Sequence, residues 1–181
     1  MRSLESVCST LKAAQDHAFQ ETGLAINTYG LTAADLSDQL KRKNGICIAA
    51  FDQDTAAGSL CVFDDHSDRW FAKSGREIKY VSVLPSCQGK GIASKLLDLA
   101  KETVSDEVLT VSTDERNKGA VNLYQKNGFA LIDISRGRRA SSNAVRFAYW
   151  KTGCPLDRKT IASHLRARKL KCLIKSLIPF L

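Results

Sequence analysis

An alternating apolar run, Tyr80-Val81-Ser82-Val83-Leu84, leads through Gln88-Gly89-Lys90-Gly91 into a helical repeat of Ile92, Leu96, Ala100 and Val104. A strand that ends in a glycine loop and opens a helix is predicted here, and it narrows the fold to α/β arrangements. Such a junction aims several backbone N–H groups at one point. The helix N-terminus adds partial positive charge, so a phosphate is the natural guest. Glycine lets the backbone approach it closely, and Lys90 supplies a full charge.

Three phosphate-binding patterns compete for this loop. A P-loop requires Ser or Thr after its Gly-Lys pair, whereas Lys90 is followed by Gly91. A dinucleotide fingerprint would take Gly89 and Gly91 as its first two glycines but meets Ser94 at the third place, with Asp114 as its ribose-binding acid. The third pattern depends on a second stretch. Asn117-Lys118-Gly119-Ala120-Val121-Asn122-Leu123-Tyr124-Gln125-Lys126-Asn127-Gly128-Phe129 follows the strand-like run Val108-Leu109-Thr110-Val111-Ser112. Ala120, Leu123 and Tyr124 share a helical face, and Asn127-Gly128 reads as a left-handed stop before the next strand.

With both stretches the sequence resembles the GNAT superfamily of acyl-CoA-dependent N-acetyltransferases. The first family motif is a strand, then Gln or Arg, two residues, Gly, one residue, and Gly or Ala; Gln88, Gly91 and Ala93 occupy those places. The second is Asn, a helix carrying Tyr, and a closing Gly-Phe, matched by Asn117, Tyr124, Gly128 and Phe129. Order and spacing agree over residues 77–131. The resemblance implies an α/β fold in which a mixed, mostly antiparallel twisted sheet is flanked by helices. It also implies transfer of an acetyl group from acetyl-CoA, as co-substrate, to a primary amine by direct attack in a ternary complex.

Coenzyme A is a polyanion with a peptide-like arm, which a strand edge can bind as if it were another strand. The arm would pair with the backbone of Val81 and Val83, and the pyrophosphate would rest on Gln88, Gly89, Lys90, Gly91, Ile92, Ala93 and Ser94. By resemblance, the first of these strands carries a bulge that parts it from its neighbour. Acetyl transfer needs a neutral amine, an oxyanion stabiliser and a proton for the departing thiolate. Tyr124 stands at the family's general-acid position, although a tyrosine on an apolar helix face also serves as core filling. The oxyanion would lie near the Val83 N–H, and Asn117 suits either the pantetheine arm or a helix cap. Glu77 is the candidate base, because its parity on the strand matches Val81 and Val83; an exposed strand-end charge near Arg76 and Lys79 is the plain alternative. Asp114 and Glu115 are reserves. The rival function is a non-catalytic acyl-CoA-binding module that recruits a partner.

The 181 residues suffice for a buried core, and 44% apolar content excludes a disordered chain. Cysteines at positions 8, 47, 61, 87, 154 and 172 show neither pairing nor metal spacing, and His17, His66 and His164 are scattered. Free thiols, no metal site and a cytoplasmic setting are therefore expected. No secretory leader or membrane-length apolar run is visible.

Helices are predicted at 4–20 and 32–42, a hairpin of strands 46–51 and 59–63 around a turn at 52–58, and a polar loop or lid at 64–75 that carries Trp70-Phe71. A second hairpin, 129–135 with 144–151, closes around Arg136-Gly137-Arg138-Arg139. The family's usual first strand has no counterpart before Ile46. The domain itself is placed at 1–153. Residues 154–181 form a basic amphipathic extension: residues 151–181 hold eight Lys or Arg against one Asp. Its apolar stripe would dock on its own domain or on a second copy in a homodimer, lie on an anionic membrane surface, or present charge to RNA, DNA or an acidic protein.

Overall fold

The computed structural model describes residues 4–23, 30–65, 75–104, 108–136, 143–153 and 158–177. Trp70-Phe71, the tip Gly137-Arg138-Arg139 and residues 154–157 lie outside them. The chain divides into two compact units, Met1–Asp106 and Glu107–Leu181.

The first unit contains helices α1 (Leu4–Thr22) and α2 (Ala33–Arg42), strands β1 (Ile46–Asp52), β2 (Thr55–Asp65) and β3 (Gly75–Val83), and helix α3 (Ile92–Thr103). Its strands run antiparallel in the order β1-β2-β3. Thr32 starts α2 through a reciprocal capping box: its hydroxyl accepts from the Asp35 N–H while its own N–H donates to the Asp35 carboxylate. That bonding holds the Asp35 carboxyl below its usual range. Helices α1 and α2 cover one face, where Val7, Leu36, Ala56, Cys61 and Phe63 form a buried cluster. Helix α3 packs against the opposite face through Leu96, Leu97 and Ala100. Among the described residues the first strand begins at Ile46.

The turn of the first hairpin is shorter than its polar sequence suggests. Only Gln53 and Asp54 separate the strands, Gln53 taking φ +51°, and Asp52 pairs with Thr55. Residues 55–58 join β2 because α1 meets their backbone. Ser6 Oγ accepts from the Ala56 N–H at 2.9 Å, and the Thr10 hydroxyl donates to the Ala56 carbonyl. Small residues with weak strand preference are thus held extended by a neighbouring helix.

The second unit contains β4 (Val108–Asp114), α4 (Lys118–Lys126), β5 (Ala130–Arg136), β6 (Asn143–Trp150) and α5 (Arg158–Leu177). Its strands lie in the order β4-β6-β5, both pairs antiparallel. Helix α5 packs on β5, with Ile161, His164, Leu165, Arg168 and Cys172 half-buried along one face. No helix among the described residues is long and apolar enough to cross a membrane.

Candidate active site

Strand β3 is interrupted where it approaches the glycine loop. Ser59 pairs with Ser82 and Cys61 with Lys79, so Tyr80 and Val81 together oppose Leu60. This is a β-bulge, and Tyr80 takes φ +58° within it. The bulge reverses the strand's alternation. Before it, Glu77 pairs with Phe63, on the face covered by α1 and α2; after it, Val83 pairs with Gly58, on the face covered by α3. The parity that would align Glu77 with Val83 is therefore broken by the extra residue. Glu77 instead forms an ion pair with Lys79, Oε2 to Nζ 2.8 Å.

A short 3-10 turn, Pro85–Cys87, then carries the chain into the loop. Gly89 and Gly91 take φ +75° and +78°, conformations that other residues reach only with strain. A Cβ at either would meet nothing within 4 Å, so both face open space. No side chain caps α3, and its first turn holds no acid. Among the described residues, no carbonyl outside the helix accepts from the amides of Gly89, Lys90, Gly91, Ile92 or Ala93. Uncapped amides and the helix dipole make the start of α3 favourable for an anion. Gln88 turns back, its Nε2 3.5 Å from the Val83 carbonyl, while Ser94 lies in the first turn of α3.

Gly58 is a site-building residue that sequence reasoning assigned to a turn. A Cβ there would lie 2.9 Å from Ile92 Cγ2, 3.1 Å from the Ser82 carbonyl and 3.2 Å from Val83 Cγ2. Only glycine lets β2 come so close to the loop and the start of α3. An isolated glycine inside a strand pattern was the available signal.

In the second unit, Asn117 caps α4, its Oδ1 accepting from the Ala120 N–H at 3.1 Å. The far end of α4 closes in a Schellman motif: Phe129 N–H reaches the Tyr124 carbonyl at 3.0 Å, Gly128 N–H reaches Gln125 at 3.1 Å, and Gly128 takes φ +81°. That closure returns Phe129 onto Tyr124. The Tyr124 ring lies 6.1 Å from Phe129 and 5.8 Å from Phe147, and the residue is buried. Among the described residues its hydroxyl makes no hydrogen bond. Burial pushes the phenol above its ordinary pKa, so it stays protonated and able to donate. Asp114 is committed to Arg116, Oδ1 to Nε 3.1 Å, and Glu115 accepts from Asn143 Nδ2 at 2.9 Å. Cys8, Cys47, Cys61, Cys87 and Cys172 are free thiols. Among the described residues no group of three or more His, Cys, Asp or Glu is placed to hold a metal ion.

The profile of the Acetyltransferase (GNAT) family matches residues 10–129, and this chain belongs to that family. Among solved structures, the GNAT-family acetyltransferase of Streptococcus agalactiae is similar at TM-score 0.66 and 14% identity, covering 82% of this chain and 90% of that one. The yncA protein of Salmonella typhimurium, solved with its cofactor acetyl-CoA, gives 0.62 and 17%, covering 85% and 94%. A ribosomal-protein-alanine N-acetyltransferase from Brucella melitensis gives 0.60 and 16%, covering 82% and 96%. At these identities the likeness establishes the shared α/β fold. No curated protein matches the sequence.

Proposed function

We propose that this protein is an N-acetyltransferase that moves an acetyl group from acetyl-CoA to a primary amine by direct attack in a ternary complex. The observation that carries this reading is the uncapped start of α3: open amides between two left-handed glycines, directly after a bulged strand. The pyrophosphate would rest on Gln88, Gly89, Lys90, Gly91, Ile92, Ala93 and Ser94, and the pantetheine arm on the backbone of Val81 and Val83. Family membership and a neighbour holding acetyl-CoA support that donor.

In the proposed reaction the amine nitrogen attacks the thioester carbonyl, forming the C–N bond. The nitrogen sheds its proton to water, because Glu77, the base expected from strand parity, lies on the face away from Val83 and is paired with Lys79. The oxyanion is held by backbone N–H near Val83, and collapse breaks the C–S bond. Tyr124 then gives the thiolate its proton, a role supported by the motif and by the buried, neutral phenol. Asn117, already engaged with Ala120, acts chiefly by fixing the start of α4. The test is mass spectrometry of ligand retained on purification, followed by thiol release from acetyl-CoA with a panel of amines. Retained CoA with no thiol release for any amine would leave the non-catalytic acyl-CoA-binding module instead.

Helix α5 is the proposed surface for an anionic partner, whether RNA, an acidic protein or a membrane surface. Residues 107–181 hold fifteen Lys or Arg against five Asp or Glu, whereas residues 1–106 hold twelve against fourteen. Arg166, Lys169 and Lys171 face outward and form no ion pair among the described residues. Leu170, 58% exposed, lies among these cations, whose charge suits a polyanion.

A further inference from the structure

We infer that Gln39 and Tyr80 act as a positioning pair that holds the β3 bulge in the form that presents the cofactor-facing backbone. This rests on the acyl-CoA reading above and gives a role to two side chains that have none in the family motifs. Three described non-glycine residues take positive φ. Asn44 and Gln53 do so in turns, where the conformation is common. Tyr80 does so inside a strand, and a bulky residue stays there only when its surroundings over-determine it.

Those surroundings are specific. The Tyr80 hydroxyl donates to Gln39 Oε1 at 2.8 Å, across 41 residues of sequence. Its ring meets that of Phe63 at right angles, centroids 6.0 Å apart. Phe63 is itself fixed, being 1% exposed and close against Gly45, where a Cβ would come within 2.7 Å of its ring. Gln39 sits one turn beyond the capping box of α2, and Leu36 anchors that helix with 0% exposure. On the far side of the bulge, the buried Ser59 and Ser82 hydroxyls share a hydrogen bond of 3.0 Å. The extra residue is thus gripped from both sides.

The grip matters because the bulge decides which way the backbone points. In an uninterrupted strand, Val83 would share the face and edge sense of Lys79. With the bulge, that sense is reversed just before the glycine loop. Releasing Tyr80 lets the strand regain regular alternation, which turns the Val83 amide away from its bulged direction. Gln39 acts on the site only through Tyr80.

The test compares wild type with Tyr80→Phe, Gln39→Ala and Gln39→Glu, using CoA binding by calorimetry, the KM for acetyl-CoA and the melting temperature. We expect Tyr80→Phe and Gln39→Ala each to weaken CoA binding about fivefold and raise KM alike. The double variant should be no weaker than either single one, because both remove one bond. Gln39→Glu keeps an acceptor and should bind like wild type. Losses that add in the double variant, or affinity that follows the melting temperature and is not rescued by Gln39→Glu, would overturn the pairing. Wild-type binding with unchanged affinity in all three variants overturns it while leaving the CoA reading intact. Absence of CoA binding in wild type overturns both.

Discussion

The Arg168 guanidinium straddles the Asp133 carboxylate, Nε to Oδ1 at 2.7 Å and Nη2 to Oδ2 at 3.2 Å, and so fastens α5 to β5. The same Nε reaches the Ile134 carbonyl at 3.0 Å, and His164 Nε2 lies 3.2 Å from Asp133. Strand β5 is bulged beside this point, where Leu131 pairs with Phe147 and Asp133 with Arg146. Forked charge-assisted pairs are the strong kind of hydrogen bond. Asp133→Ala would leave a half-buried guanidinium without its partner, at a cost of about 1–2 kcal/mol. A fall of roughly 2–8 °C in Tm is expected, with α5 becoming the earliest site of limited proteolysis. Arg168→Lys should cost nearly as much, since an ammonium cannot fork.

Gly58→Ala tests the closeness of β2 to the glycine loop. Its new methyl would meet Ile92 Cγ2 at 2.9 Å and backbone oxygen of Ser82 at 3.1 Å, so either the Ile92 side chain or the backbone on one side of the contact must shift. We expect about 1–3 kcal/mol of destabilisation, as for overpacking elsewhere. CoA affinity should fall as well. A crystal structure with α3 unmoved and unchanged affinity would refute the close-approach role.

Gly91→Glu places a carboxylate at the open mouth of the anion cradle. There is room for it, but φ +78° disfavours a side chain and the charge opposes a diphosphate. CoA binding should disappear in calorimetry while the fold, read by circular dichroism, persists. Gly91→Ala should retain weakened binding, separating strain from charge.

Tyr124→Phe should lower kcat more than CoA affinity, because the phenol acts when the thiolate leaves. The same substitution predicts a pH effect. Burial raises the folded phenol's pKa, so the folded state keeps a proton that the unfolded chain loses above about pH 10. That stabilising contribution is complete below the unfolded value and is lost as pH rises toward the folded one. Urea midpoints should therefore drop more steeply between pH 9 and 11 in wild type than in the phenylalanine variant. Parallel curves would show that Tyr124 does not titrate in the coupled way described.

Much of the local architecture follows from sequence alone. Gly89 and Gly91 before an amphipathic run, Thr32 ahead of Asp35, and Asn127-Gly128-Phe129 after α4 are short-range signals, because helix ends are settled by a few neighbouring backbone groups. What the chain does at long range was not legible in that way. The extension of β2 through Ala56 depends on hydroxyls fifty and forty-six residues away, on Ser6 and Thr10. The bulge at Tyr80, which sets Glu77 and Val83 on opposite faces, depends on Gln39 and Phe63. The basic tail reads as a docking helix before a membrane or polyanion one, and its face is settled only where Asp133 takes Arg168. Local propensity is fixed by adjacent residues, whereas register, facing and docking are decided only when distant polar groups find partners in the folded chain.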